Sequence, residues 1–191
     1  MFKENVHNLI SNQFFVGFTY FVLALFLVPK NISPLYTLFS ITFMTFYSYF
    51  IHIVFHIIPY LRETHLIHHE GKILSEVFDL LYETLLNIFF FALLYFFQEL
   101  TNIKIVPKIL IIYAGLVYTS GHIINYSIFK VNDIHEKHHI KEDDIYKYNF
   151  GPDIIDHIMG TTYNKDYENL RHVYPNLLLS YFFTKMISPL I

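Results

Sequence analysis

The sequence predicts an all-α integral membrane protein, with a four-helix core built of two hairpins and a histidine-rich helical cap on one side. Three observations predict it. First, the composition suits a chain that has lipid for part of its solvent. Of 191 residues, 54% are hydrophobic and 15% are charged, against about 45–50% and about 25% in soluble domains. Second, four long apolar stretches recur along the chain. Third, the 12 histidines are not scattered, and eight of them fall in three tight groups. The length suits a single domain covering residues 1–191.

The first apolar stretch runs from Gln13 to Val28, the second from Pro34 to Ile58, the third from about Val77 to Phe97 and the fourth from about Ile105 to Phe129. A helix needs about 20 apolar residues, within about 17–25, to cross the hydrocarbon core. The second, third and fourth meet that length and the first is marginal. Pro29-Lys30-Asn31 and Ser33-Pro34 punctuate a short loop after the first stretch, and Thr101-Asn102 with Pro107 punctuates another after the third. Glu83 and Asn87 interrupt the third stretch. An ionisable group at such depth is costly and faces the bundle interior or a polar cavity, unless Glu83 lies near the interface, a turn or two inside.

Two hairpins leave the polar segments Pro59–Glu76 and Lys130–Asn176 on one side, together with the N-terminus. That side carries nine basic residues: Lys3, Arg62, Lys72, Lys130, Lys137, Lys141, Lys147, Lys165 and Arg171. The loops opposite carry three, Lys30, Lys104 and Lys108, so the positive-inside rule places the polar side in the cytosol. Lys185 stays unassigned. The final stretch, Leu177–Ile191, is apolar and suits either an interfacial helix or one packed on the bundle. Val28-Pro29-Lys30 is no small-residue cleavage site, so the first stretch does not read as a removable signal. No internal repeat is visible.

A net charge of -3 provides no basic field for nucleic acid. The absence of cysteine excludes disulfides, thiolate catalysis and thiolate metal sites. Any metal must be held by His, Asp, Glu or backbone oxygen.

The histidines supply the chemistry. His52 and His56 stand four apart at the end of the second apolar helix, with both rings on one face. His65, His68 and His69 follow as His-Leu-Ile-His-His, and His135, His138 and His139 repeat the pattern as His-Glu-Lys-His-His. On a helix the first of each trio meets the other two one turn later. Neutral imidazole suits iron and zinc. The hairpin between the clusters, about 65 residues, leaves the membrane face and returns to it, so all eight can meet there. His122, near the end of the fourth helix, lies close to the same level. Eight or more histidines exceed the three or four protein ligands of one zinc, so two ions fit the count. An all-nitrogen site beside lipid suits oxygen activation, because apolar walls exclude water.

Two other readings compete. A zinc hydrolase needs a general base, usually Glu beside a ligand, and His135-Glu136-Lys137-His138 has the wrong spacing for His-Glu-x-x-His. A metal carrier, or a degenerate oxygenase serving as scaffold, needs no reaction at all. Lipid-dependent O2 consumption separates the oxygenase from both.

From about Phe50 to Tyr163 these residues resemble the fatty acid hydroxylase/sterol desaturase superfamily of membrane di-iron oxygenases. Asn149-Phe150-Gly151 followed by Asp156-His157-Ile158-Met159-Gly160-Thr161 supports the resemblance, since the family has an Asn-aromatic-Gly element and then Asp-x-x-x-Gly-Thr. The resemblance implies a four-helix membrane core with a cytosolic cap, in the endoplasmic reticulum. It implies two iron ions, with zinc possible after purification, held by His52, His56, His65, His68, His69, His135, His138 and His139. His122 matches the first residue of a further His-x-x-x-His box, but Tyr126 stands at its second histidine. One metal then lacks a ligand, or another group such as His157 replaces it. The alternative for His157 is a structural role or the orientation of a ligand. Asp156 reads better as a partner that orients an imidazole, or as a turn cap, than as a direct ligand. His7 and His172 lie outside any box and read as surface or interface residues.

The implied reaction is hydroxylation of an unactivated C–H position in a fatty acyl chain or sterol, or its desaturation on the same site. It consumes O2 and two electrons relayed from NAD(P)H by a reductase and a b-type cytochrome. The chain has no room for a fused cytochrome domain beside this core, so those electrons come from separate chains.

Overall fold

The computed structural model describes residues 6–7, 9–59, 76–131, 149–162 and 167–190. The described residues are helical, with no strand among them. Four helices are long and apolar enough to cross a membrane: Leu9–Leu27, Pro34–Val54, Leu80–Thr101 and Lys108–Ile128.

Helix α1 (Phe15–Leu27) is entered through a π-helical turn, Leu9–Phe14. The first span therefore starts four residues before the apolar stretch in the sequence. Asn12 and Gln13 break the apolar run, yet both side chains turn inward and are buried. Helix α2 (Pro34–Ile57) begins where Ser33 caps it, accepting from the backbone N–H of Tyr36 at 3.1 Å, with Pro34 in the first turn. Helix α3 (Glu76–Thr101) runs past the apolar stretch because Gln98 has a structural use. Its Oε1 accepts from Ile105 N (2.7 Å) and Val106 N (2.9 Å), and its Nε2 donates to Val106 O (3.0 Å). That amide pins the loop leading to helix α4 (Lys108–Ser120).

Helix α4 lies at the centre, packed on α1, α2 and α3. Leu110, Ile111, Tyr113 and Ala114 are all buried on it. Gly115 lets α3 approach: a Cβ there would stand 3.0 Å from Cγ of Phe91. One apolar cluster joins Met44, Phe90, Phe91, Leu94 and Ile111, and a second joins Ala24, Ile41, Leu110 and Tyr113. Large apolar side chains such as Phe26, Phe39, Leu85, Phe89 and Phe96 face outward, as a lipid solvent requires. Inside, Ser40, Thr45 and Thr184 return their hydroxyl protons to the carbonyl four residues earlier.

After α4 the chain continues as a π-helix, Gly121–Ile128. The short helix α5 (Asp153–Met159) follows the described loop at 149–152, and helix α6 (Val173–Ile187) follows a 3-10 turn at Leu170–His172. The two options for the apolar end resolve in favour of packing: α6 lies on α1 and α4, and Tyr113 donates to Leu177 O at 3.2 Å. Asn176, near its start, accepts from Asn125. Lys185, near its end, lines a cavity of about 830 Å³ with Lys30, Lys104 and Lys108. Lys185 thus belongs to the membrane face opposite the histidines.

Candidate metal centre

Helix α2 delivers His52 and His56 one turn apart, with ring centroids 5.1 Å apart and both residues buried. His122, in the π-helix after α4, is buried beside them, its ring 6.4 Å from that of His52. These three imidazoles come from different hairpins and converge at one end of the bundle. His65, His68, His69, His135, His138 and His139 lie outside the described residues. Among the described residues, no three His, Asp or Glu side chains suffice by themselves to hold an ion. His52, His56 and His122 are buried imidazoles, a donor type that divalent transition metals take.

The loop at Phe150 explains how the rings are set. His52 Nδ1 lies 2.9 Å from the carbonyl oxygen of Phe150. A carbonyl only accepts, so Nδ1 carries the proton and the neutral ring keeps its lone pair on Nε2. The Phe150 ring packs edge-on against both histidines, with centroids at 5.6 and 5.4 Å. Asp156 in turn fixes the loop. Its Oδ1 accepts from Phe150 N (2.9 Å) and Thr161 Oγ1 (2.7 Å), and its Oδ2 accepts from Gly151 N (2.7 Å). Asn149 N donates to Thr161 O at 2.8 Å, and Tyr49 Oη lies 2.9 Å from Thr161 Oγ1. Gly151 and Gly160 sit at φ of 61° and 73°, where side chains are disfavoured. The Asn-Phe-Gly and Asp-x-x-x-Gly-Thr elements therefore form a single clamp closed by Asp156. Burial pushes the Asp156 carboxyl up to about 7, against the pull of its three donors.

Glu83 is the residue that sequence reasoning left out of the site. It is buried inside the bundle, and its Oε1 lies 2.6 Å from His122 Nε2. Ser127 Oγ stands 3.1 and 3.0 Å from the two carboxylate oxygens. The signal for it was the isolated acid in an apolar run.

Tyr126 serves a different group. Its hydroxyl donates to Glu168 Oε1 at 3.1 Å, and His172 Nε2 lies 3.4 Å from it. His172 is half-buried there, and burial lowers its pKa; His7 is exposed. Asp153 extends this polar group, accepting from Gln13 Nε2 (2.6 Å) and Glu168 N (3.0 Å), and burial raises its pKa. His157 faces Asp153 Oδ1 at 3.5 Å, long for a hydrogen bond, and its ring lies 4.1 Å from that of Tyr167. No described contact joins His157 to His52, His56 or His122.

A cavity of about 250 Å³ connects these parts. Val16, Val117 and Leu177 line it together with His52, His122, Tyr126 and the carboxylates Asp153, Asp156 and Glu168. A cavity with apolar walls leading to a few converging polar groups is the usual form of a small-molecule site.

The profile of the fatty acid hydroxylase family matches residues 37–161. No match was found among curated proteins or among solved structures. The matched segment spans α2, α3, α4, the histidine groups and the Asp156 clamp, and the chain belongs to the fatty acid hydroxylase family, within the fatty acid hydroxylase/sterol desaturase superfamily. It is accordingly a multi-pass membrane protein of an oxidoreductase family acting on lipids.

Proposed function

We propose that this protein is a membrane di-iron oxygenase that hydroxylates a lipid, a fatty acyl chain or a sterol, using O2 and electrons from a separate chain. The observation that carries the proposal is the convergence of buried His52, His56 and His122, two of which, His52 and His122, line a cavity with largely apolar walls. His65, His68, His69, His135, His138 and His139 would complete the ligand set of two ions. Bound iron would supply the redox chemistry that O2 activation needs. The residues of the chain do the rest. The Phe150 carbonyl holds the proton on Nδ1 of His52 and so aims Nε2. The apolar walls admit a hydrocarbon chain, fix which carbon lies near the histidines and keep water away. Desaturation uses the same site with a different placement of the substrate carbons.

Reducing equivalents would come from NAD(P)H through a reductase and a b-type cytochrome docking on the histidine side, which would face the cytosol of the endoplasmic reticulum. The test is metal analysis of the detergent-purified protein, followed by O2 consumption with candidate lipids and a reconstituted reductase. About two ions per chain and lipid-dependent O2 uptake are expected. A folded protein that binds no metal would end the proposal.

A further inference from the structure

Glu83 and His122 form a short buried polar contact between the two halves of the second hairpin. Their Oε1–Nε2 distance is 2.6 Å, and the two residues are 3% and 8% exposed. A carboxylate only accepts hydrogen bonds. The proton between the two atoms therefore belongs to Nε2, and in the neutral ring the lone pair is left on Nδ1. Two further contacts hold the couple in place. The π-helical turn carries Ser127 onto the carboxylate, with Oγ within 3.1 Å of both oxygens. The Tyr118 ring stacks on the imidazole, with centroids 5.9 Å apart and planes 19° apart, which resists rotation of the ring. His52 is arranged in the opposite sense, with its Nδ1 proton given to the Phe150 carbonyl.

We infer that Glu83 is the positioning residue of His122, fixing its tautomer so that His122 presents Nδ1 to a bound metal while His52 presents Nε2. The inference rests on reading the histidine cluster as a metal centre. Glu83 then compensates for position 126, where Tyr126 is committed to Glu168 and His122 has no histidine companion one turn on. Ligating histidines are commonly held in this way through their second nitrogen by a carboxylate, and loss of such a partner lowers metal affinity.

The experiment uses full-length protein in lipid, labelled with ¹⁵N at histidine and loaded with zinc. The nitrogen spectrum of the wild type is compared with that of His122→Asn. The signals lost should be a zinc-bound Nδ1 and a protonated Nε2. A zinc-bound Nε2 on His122, or no zinc-bound signal lost, overturns the inference. Zinc affinity is then measured for Glu83→Ala and Glu83→Gln. The alanine variant should bind about 10- to 100-fold more weakly. Glutamine keeps an acceptor oxygen and should recover most of that loss. Equal losses in both variants would make Glu83 a direct ligand and overturn the inference, and so would no loss in either. A wild-type chain that takes up no zinc sinks this inference together with the metal-centre reading. Intact uptake in Glu83→Ala sinks the inference alone.

Discussion

His52 donates through Nδ1 to the carbonyl of Phe150, 98 residues further along the chain, at 2.9 Å. This bond connects the family's first histidine group to its Asn-Phe-Gly element. It gives that element a physical purpose: the loop presents one backbone oxygen to one imidazole, and Asp156 holds the loop still.

The histidine assignments predict metal content. His52→Ala and His68→Ala should each lower the metal bound per chain, by about one ion of two. His7→Ala, altered at an exposed position, should leave it unchanged. Elemental analysis of detergent-purified protein reads the difference, and equal metal in all three variants would refute the assignment of His52 and His68.

Replacing Asp156 with Asn should loosen the clamp. At pH 8 the carboxyl, with its pKa near 7, is largely ionised and accepts from Phe150 N, Gly151 N and Thr161 Oγ1. An amide turns one acceptor into a donor that faces an N–H or O–H. The cost should be on the order of 2–3 kcal/mol, read as a lower melting temperature in detergent. An unchanged melting curve would mean that the clamp contributes nothing to stability.

Gly17 lines the cavity, and nothing lies within 4 Å of where its Cβ would be. Gly17 is exposed, so a Gly17→Phe side chain should crowd the rim of the cavity. Turnover of a long-chain lipid should fall while metal content and melting temperature hold. Unimpaired turnover would place the substrate elsewhere.

Gly115 tests the packing of α3 on α4. A Cβ there meets Phe91 at 3.0 and 3.1 Å, so Gly115→Val should force the two helices apart and cost about 1–3 kcal/mol. The measurement is the melting temperature in detergent, and Phe91→Ala should relieve part of the loss.

The hairpins and the histidine clustering were legible in the sequence because each rests on local spacing: apolar length for the spans and intervals of three and four for the rings. The Asp156 motif was visible, but its target was not, since nothing local says that residue 150 will meet residue 52. The partner of Glu83 was hidden for a related reason. A single acid in an apolar run gives its depth along a helix and not its partner, and the partner lies on the next helix. The first apolar stretch begins at Gln13 whereas the span begins at Leu9, and within it Asn12 and Gln13 are both buried, Gln13 donating to Asp153. The π-helical register at Gly121–Ile128, which places Ser127 over the Glu83 carboxylate, has no sequence signature that spacing rules detect.

The 98-residue reach from His52 to Phe150 also sets an order of events during synthesis. A ribosome delivers the chain N-terminus first, at about 5–20 residues per second. Helix α2 enters the membrane with His52 and His56 before the residues that will orient them have been joined to the chain. For several seconds those imidazoles have no Phe150 carbonyl and no Asp156 behind it. On the metal-centre reading, loading would follow insertion of both hairpins and closure of the loop, and a nascent chain halted before residue 150 carries His52 without the carbonyl that orients it.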